Sequence, residues 1–327
     1  MSKRTVWAGM DVGKDEVWVS VSGSKVRPFP ASSVGIREAC AWLLAHVGQD
    51  DVCICMESTG VYSYGVALWC RQNGVAVSVV NPAQIAAFGK AQLRRTKTDR
   101  VDAEVVRCFA ESQQPRPWEP TRPSLRQLYG LVAELDRLRE MKQLLANRDH
   151  SHKHIPDLPH EVRAAQRALH RSLDRQIEKL EQAVTTVLTR DIRMNQQVIL
   201  LSTIPGIKER TAVRLLAYGK DLWTERNQKE LTAHVGLAPK HHQSGTSVRG
   251  KSRLTKQGDS QLRKTLFMPT LCGIVHNPYL KPYYRHLVDQ GKSKLLAVAA
   301  CMRKLLLLIR AILKSNQPFP MTKTALT

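Results

Sequence analysis

The sequence predicts an α/β domain at the N-terminus, then long helices and an all-α C-terminal domain. Short runs of β-forming residues alternate with amphipathic helical segments as far as residue 114. The stretch PRPWEPTRP at 115–123 holds four prolines and excludes regular structure. Beyond it, apolar residues recur at helical spacing. A chain of 327 residues is long enough for two such domains.

The N-terminal elements follow a recognisable order. The expected strands and helices are a hairpin at 5–11 and 15–21, a strand near 25–29, a helix at 35–46, a strand at 51–57, a helix at 61–73, a strand at 75–80 and a helix beginning near Asp99. This β-β-β-α-β-α-β-α order is that of the ribonuclease-H-like fold. In that fold, carboxylates on the first strand, the fourth strand and the final helix meet at one edge of the sheet.

Four carboxylates fall at those places. Asp11 closes the run VWAGMD and Glu57 closes VCICME, while Asp99 and Asp102 share KTDRVDAEVVRCFAE. A spacing of three puts the last pair on one helical face. Converging acids hold hard cations such as Mg²⁺, which bridge phosphates. Taken singly, such acids are also common caps and surface charges, and Asp99 could be the N-cap of its helix.

Charge is distributed unevenly along the chain. Residues 1–114 carry 13 Lys and Arg against 11 Asp and Glu, whereas residues 115–327 carry 37 against 17. A nearly neutral part with clustered acids, joined to a strongly basic part, suits a catalytic module attached to a polyanion-binding module. Nucleic acid is therefore the expected partner, in preference to a merely solvated basic surface.

Two long helical patterns follow the prolines. The first places leucines at 128, 131, 135, 138 and 145, and the second places apolar residues at 173, 177, 180, 184 and 187. Residues 149–160 are expected to form the loop between them. The pair could be an antiparallel hairpin, a dimerising coiled coil or two ordinary core helices, and charged flanking positions favour the coiled coil. The expected division is 1–114, 115–195, 196–318 and a tail at 319–327, and the final stretch SNQPFPMTKTALT is expected to be disordered.

Two C-terminal segments suit phosphate binding. IPGIKERTA is similar to a helix-hairpin-helix element, in which Lys208 and Arg210 could contact phosphate, although an ordinary helical turn is an equal alternative. Residues 236–258 form a basic segment with a serine beside a glycine, which could be a phosphoryl-accepting nucleophile. The basic residues expected to bind nucleic acid here are Lys240, Arg249, Lys251, Arg253 and Lys256.

The cysteines and histidines are expected to form neither disulfides nor a zinc site. The seven cysteines form no CxxC pair and look like core residues in a cytosolic protein. His150, His152, His154 and His160 are expected to be solvated or to face nucleic acid, rather than to bind zinc. No signal peptide opens the chain, and charges at 303, 304 and 310 make the apolar run near the C-terminus a buried helix rather than a membrane span.

Several motifs together resemble one family. They are GMDVGKDEVWV, CMESTGVY, VVNPAQ, RRTKTDRVDA, IPGIKERTA, GLAPKHHQSGTSVRGKSR and LRKTLFMPTL, in that order. In these motifs the whole chain resembles the DEDD transposases of the insertion sequence 110 family, whose members include bridge-RNA-guided DNA recombinases.

The resemblance implies a set of roles. Asp11, Glu57, Asp99 and Asp102 take the places of the metal-binding carboxylates of a RuvC-like domain, with Mg²⁺ as the ion and Mn²⁺ as its substitute. Ser244 takes the place of a nucleophile that attacks a DNA phosphodiester, and Ser247 is the neighbour to test as the wrong choice. The carboxylates and the serine of one site are implied to come from different protomers.

The resemblance also implies the partners: double-stranded donor and target DNA, a structured guide (bridge) RNA and further copies in a homodimer or homotetramer. No membrane is implied, and the expected location is the nucleoid in a prokaryotic cytoplasm. Two other functions stay open. One is a RuvC-like endonuclease of the Holliday-junction type that uses metal-activated water. The other is a nucleic-acid-binding protein with a degenerate site.

Overall fold

The computed structural model describes residues 5–47, 51–93, 98–240, 243–244, 248–249, 253–255 and 257–320. The chain divides into two compact units, Met1–Pro120 and Thr121–Thr327. Within the described residues, no helix is long and apolar enough to cross a membrane.

The first unit is built around a five-stranded mixed sheet. Its elements are β1 Thr5–Val12, β2 Glu16–Val21, β3 Arg27–Pro30, α1 Ser33–Val47, β4 Asp51–Glu57, α2 Val61–Gln72, β5 Ala76–Val80, α3 Pro82–Ala91 and α4 Asp99–Gln113. The strand order is β3-β2-β1-β4-β5, with β1 antiparallel to β2 and parallel to β4. The strands and helices predicted between residues 5 and 80 are confirmed to within two residues. The ribonuclease-H-like assignment is compatible with this sheet and stays a prediction.

Helix α3 was not predicted. Asn81-Pro82 was interpreted only as the end of β5, but the same dipeptide also begins a helix. The side chain of Asn81 accepts a hydrogen bond from the N–H of Ala83 at 2.9 Å, and Pro82 occupies the first helical turn. A proline at that place needs no N–H partner, so it favours a helix start.

Alternation along β1 separates two cores. Ala8, Met10 and Val12 lie on the face that packs with α1 and α2. Trp7 lies on the opposite face, in a cluster that Cys55, Val80, α3 and α4 complete. Because side chains alternate along a strand, Gly9 and Asp11 share the α4 face with Trp7.

The second unit is mostly helical. Its helices are α5 Pro123–His152, α6 His160–Arg190, α7 Ile192–Ser202, α8 Glu209–Gly219, α9 Leu222–Glu225, α10 Gln228–His234, α11 Ser260–His276, α12 Leu280–Asp289 and α13 Lys294–Ser315. One continuous core joins them, and its largest fully buried side chain is that of Trp223.

Helices α5 and α6 form an antiparallel hairpin within the chain. Arg139 bonds Glu181 at 2.6 Å, and further toward the tip Lys142 bonds Asp174 at 2.5 Å. The expected loop at 149–160 was wrong in extent, because α5 continues through His152. Two pairs across the seam, His170 with Asp149 and Gln166 with His152, help to hold that last turn helical.

Two further expectations about the C-terminal part were wrong. It is not all-α, because four two-residue strands lie between α10 and α11: β6 Pro239–Lys240, β7 Gln243–Ser244, β8 Val248–Arg249 and β9 Arg253–Leu254. The tail is not wholly disordered either. Phe319 is 4% exposed in the helical core, and its N–H donates to the hydroxyl of Thr203 at 2.9 Å.

Candidate active site

Two predicted carboxylates lie side by side at the ends of neighbouring strands. In the parallel β1–β4 pair, Met10 is opposite Met56, so Asp11 and Glu57 follow at adjacent positions. Adjacent strands run about 5 Å apart. Met10 and Met56 both belong to the core under α1 and α2. Asp11 and Glu57 therefore both lie on the opposite face, where α4 packs.

Gly9 lets α4 approach that face closely. A Cβ at Gly9 would lie 2.2 Å from the carbonyl oxygen of Ala103 and 2.3 Å from the nitrogen of Arg107. The α4 backbone therefore rests directly on β1, two residues before Asp11. Arg107 adds a hydrogen bond from its Nε to the hydroxyl of Ser20 on β2, at 3.2 Å.

The other two predicted carboxylates occupy the first turn of α4. Asp99 precedes the buried Ala103 by four residues, and Asp102 precedes the buried Val106 by four. Helical spacing therefore puts both acids on the side of α4 that faces the sheet. Thr98 is the N-cap, since its hydroxyl accepts from the N–H of Val101 at 3.3 Å. The alternative of Asp99 as the N-cap is wrong.

The four acids, all among the described residues, are of the ligand type that hard cations prefer, but their side chains are not gathered into a metal site. Asp11, Glu57 and Asp102 are each engaged in a hydrogen bond, an ion pair or another electrostatic interaction. Within the described ranges, no three Asp, Glu, His or Cys side chains are grouped so that they could hold a metal ion. The backbone thus places the acids on one face, and metal binding would require their side chains to turn toward each other.

Cys55 lies on the same face of β4, two residues before Glu57. Burial, together with the neighbouring Cys53, raises the pKa of the Cys55 thiol to about 12. Metal coordination by cysteine needs the thiolate. Cys55 is therefore a protonated core group at neutral pH, and oxygen ligands dominate this edge of the sheet.

Two residues that sequence reasoning missed also border Asp11. Trp18 is its register partner on β2, and the indole N–H of Trp18 is buried with no hydrogen-bond partner in the described part of the chain. Thr59 ties the loop after Glu57 to β1, because its hydroxyl donates to the carbonyl oxygen of Val12 at 3.3 Å. The sequence signal for Trp18 was its place opposite Asp11 in the predicted hairpin, and that for Thr59 was its place two residues after Glu57.

Ser244 lies in the second unit, on β7, where it is the register partner of Val248 on β8. Lys240, Arg249 and Arg253 lie on β6, β8 and β9. The basic segment is thus organised as two short antiparallel pairs rather than as one open loop. Lys251, Lys256 and Ser247 lie outside the described residues.

The predicted phosphate-binding turn joins α7 to α8. Gly206 has φ +102°, and a Cβ there would lie 2.7 Å from the carbonyl oxygen of Pro269, so the turn packs tightly on α11. Lys208 is the exposed N-cap of α8. Arg210 is exposed too, but it bonds Glu181 on α6 at 3.0 Å. Lys208 is therefore more available to a phosphate than Arg210.

The histidines near the hairpin tip differ in environment. His152 bonds Gln166 at 2.7 Å, whereas His150 and His154 stack edge to face with ring centroids 5.7 Å apart. His160 begins α6. His152 thus has a structural role between α5 and α6. That the other three histidines are solvated or face nucleic acid stays a prediction.

Comparison with known proteins gives consistent matches. A family model described as Transposase IS116/IS110/IS902 family matches residues 199–285, and a model for IS110-type DEDD proteins, described as Transposase, matches residues 8–152. The chain is 29% identical over 324 residues to the Pilin gene-inverting protein of Moraxella bovis, covering 98% of both chains, and the same figures hold for that of Moraxella lacunata. It is 27% identical over 117 residues to the Insertion element IS110 uncharacterized 43.6 kDa protein of Streptomyces coelicolor, covering 36% of this chain and 29% of that protein.

Proposed function

Because the chain belongs to the IS110 family of transposases and is a DNA transposase or recombinase, we propose that it cuts and rejoins DNA through a phosphoserine intermediate at Ser244. The DEDD domain indicates a divalent metal ion. We assign its ligands to the four acids of the first unit: Asp11, Glu57, Asp99 and Asp102. The ion we propose is Mg²⁺, with Mn²⁺ as a substitute.

One observation carries this proposal: Asp11 and Glu57 follow register partners on adjacent parallel strands, and the first turn of α4 packs on the same face. We infer that three separate elements supply acids to one edge of the sheet, as expected of a RuvC-like, ribonuclease-H-like domain. Divalent ions at such a site stabilise the entering and leaving oxygens of a phosphoryl transfer. The close approach at Gly9 supports the placement, because it fixes α4 against β1.

The chain's own nucleophile would act without net hydrolysis. The Oγ of Ser244 loses its proton and forms a bond to phosphorus, while the bond from phosphorus to the deoxyribose 3′-oxygen breaks. That oxygen leaves as a 3′-OH after taking up a proton. A 3′-OH of a second DNA strand then attacks the phosphoserine, which restores one phosphodiester and releases the serine hydroxyl.

Basic side chains of the second unit would hold the DNA backbone during these steps. Lys208, Arg210, Lys240, Arg249 and Arg253 are placed at the start of α8 and on the short strands, and we assign Lys251 and Lys256 the same role. Phosphate contacts give affinity but carry no sequence information. A structured guide RNA that pairs with donor and target DNA would supply that information.

The two Moraxella relatives are named for gene inversion. We therefore propose that the rejoining step can invert a DNA segment as well as move an element. The active unit would be a homodimer or homotetramer in the nucleoid of a prokaryotic cell, in which one protomer supplies the carboxylates and another supplies Ser244.

Trapping tests the serine directly. The full chain is incubated with Mg²⁺, the RNA from the ends of its element and DNA carrying those ends, then denatured and searched for a protein–DNA adduct. The expected adduct maps to Ser244. The variant Ser244→Ala should form none, while Ser247→Ala should form it normally.

A second variant separates the proposal from the junction-endonuclease alternative. Asp11→Asn should abolish cutting under either mechanism. If Ser244→Ala still cuts and rejoins DNA at the normal rate, the phosphoserine step is wrong and water activated at the carboxylates becomes the favoured nucleophile.

A further inference from the structure

Helix α6 carries a regular row of positive charge. Arg163, Arg167, Arg171, Arg175 and Lys179 follow one another at intervals of four residues, and all five are exposed. We call this set the α6 basic row. Neighbours four apart are adjacent on a helix surface, but each step turns about 40° further around the axis, so the row winds by about 160° over the exposed side of α6. Successive members are therefore about 6 Å apart along the axis, and the row spans about 24 Å.

Two of the four acids of α6, Asp174 and Glu181, are paired with cations of neighbouring helices. Asp174 bonds Lys142 of α5, and Glu181 bonds Arg139 of α5 and Arg210 of α8. The Arg139 guanidinium, with that of Arg210, keeps the pKa of the Glu181 carboxyl below its usual range despite some desolvation. Glu181 therefore stays ionised. Its negative charge is neutralised by Arg139 and Arg210 and does not offset the positive charge of the row.

The row itself has no such partners. Among the described residues, none of its five side chains forms an ion pair, and the other two acids of α6 are Glu161 and Glu178, both exposed. The opposite side of the helix is the one that packs, with Leu173 and Val184 buried and Ile177 and Leu180 partly buried. The outer face of α6 thus carries five cations against two anions.

We propose that the α6 basic row binds the phosphate backbone of double-stranded DNA, as a surface separate from Ser244 and its basic segment. This rests on the proposed function only in taking DNA as the polyanion. Phosphates of one strand of duplex DNA are about 3.4 Å apart along the axis, so a row of about 24 Å lies beside roughly 7 phosphates of that strand. Guanidinium groups match phosphate oxygens in pairs, which explains four arginines in a row of five.

A second copy of the chain is the poorer occupant. Two identical positive rows brought together by a two-fold axis would repel each other, since a symmetric interface places the same patch on both sides. Phosphate has the complementary sign, and its contacts are tolerant of sequence. The row would therefore hold DNA in place while other parts of the protein choose the site.

The salt dependence of binding tests this. Binding of the full chain to a mixed-sequence DNA duplex is measured by fluorescence anisotropy in EDTA, which prevents cutting, across a range of salt concentrations. In the quadruple variant Arg163→Gln, Arg167→Gln, Arg171→Gln and Arg175→Gln, the slope of log K against log salt should become shallower by about 3 to 4. At about 0.1 M salt, affinity should fall by a factor on the order of 10³.

Two matched variants control for folding and net charge. Replacing the same four arginines by lysine keeps the charge and should keep most of the slope. Neutralising four exposed residues elsewhere (Lys25, Arg37, Lys292 and Lys314) makes the same change in net charge and should leave the slope nearly unchanged.

Several outcomes would overturn the proposal. One is an unchanged slope in the glutamine variant, and another is an equal loss in the control. A loss confined to duplex RNA would assign the row to the guide instead. None of these results bears on Ser244, because binding in EDTA does not depend on the covalent step.

Discussion

At the scale of the residue, Gly9 shows how one missing side chain positions a site. Ala103 and Arg107 approach it so closely through backbone atoms that no rotamer change can make room for a Cβ. The constraint is therefore on the distance between α4 and β1. Because Asp102 directly precedes Ala103, that distance also sets where the acid of α4 lies relative to Asp11 on β1.

We expect Gly9→Ala to lower DNA strand transfer at least tenfold and to destabilise the first unit by about 1–3 kcal/mol through overpacking. The control is Gly65→Ala in α2, where a Cβ would meet nothing within 4 Å. That change should keep activity and add up to about 1 kcal/mol of stability. Thermal melting and a strand-transfer assay measure both effects. Full activity in Gly9→Ala would show that α4 can shift without moving the carboxylates.

Asp191 joins two helices and makes stability depend on pH. It is the N-cap of α7, accepting from the N–H of Met194 at 2.9 Å, and it accepts from the hydroxyl of Ser124 on α5 at 2.6 Å. Burial acts to raise the pKa of Asp191, but these two hydrogen bonds, together with the charges of Arg122 and Arg193, outweigh it and hold the pKa below its usual value. The ionised form is therefore the one that the folded protein favours.

We expect Asp191→Asn to lower the free energy of unfolding at pH 7 by about 0.3–1 kcal/mol, because Asn keeps the cap but removes the negative charge at the helix N-terminus. Since the folded pKa is depressed, the charge-dependent part is fully present above the unfolded value near 3.8 and disappears as pH falls through the folded value. Urea unfolding at pH 7 and pH 3 measures this difference. An equal deficit at both pH values would mean that charge does not matter at this cap.

At the scale of the element, a partly buried charge network fastens the hairpin to α8. Asp136 on α5 accepts from Arg214 at 3.0 Å and from the hydroxyl of Tyr218 at 2.8 Å, and its side chain is 15% exposed. Burial, with Asp136 beside it, raises the pKa of Tyr218, so the phenol stays protonated as a donor. Removing the acid would leave both donors without their partner.

We expect Asp136→Ala to cost about 2–4 kcal/mol, close to the range for breaking a buried ion pair. The control is Glu134→Ala two residues earlier. Its 3.4 Å pair with Arg137 is exposed, and such surface pairs contribute about 0–1 kcal/mol. Chemical denaturation of both variants measures the contrast. Similar losses in the two would show that the network adds nothing beyond a surface pair.

Helices and strands were predictable from the sequence where apolar side chains recur at a regular spacing. The alternation in β1 and the apolar runs of β4 and β5 gave their bounds, because one or both faces of these strands are buried. Strands β6 to β9 have only two residues each, which is too short for any period. The last turn of α5 depends on contacts with α6, and no local signal in 149–152 reports them.

The sequence predicted which residue types form the candidate site and on which elements they lie. It did not predict the packing contacts around them. Strand ends and a helix start identified the four acids. The contact of Gly9 with α4 and the position of Trp18 beside Asp11 depend on strand pairing and helix packing, which a single sequence does not specify. The placement of Phe319 in the helical core was missed for the same reason, since its partners lie far away in the chain.

At the scale of the whole molecule, charge and chemistry are divided between the two units. Residues 1–120 carry 14 Lys and Arg against 12 Asp and Glu, while residues 121–327 carry 36 against 16. The acids that would bind cations thus lie in a unit with little net charge, where excess positive charge does not compete with metal ions. The basic unit carries Ser244 and the α6 basic row, the two places at which we propose that DNA phosphates are bound.

This division makes a shared site testable by mixing two inactive chains. If one protomer supplies the carboxylates and another supplies Ser244, then a mixed dimer of Asp11→Asn and Ser244→Ala contains one site with both defects and one site with none. Random pairing of equal amounts should therefore restore about a quarter of the wild-type sites in a two-fold assembly. Strand transfer by the mixture, compared with each variant alone, is the measurement. If all groups of a site come from a single chain, every site in the mixture carries a defect, and activity stays at the level of the separate variants.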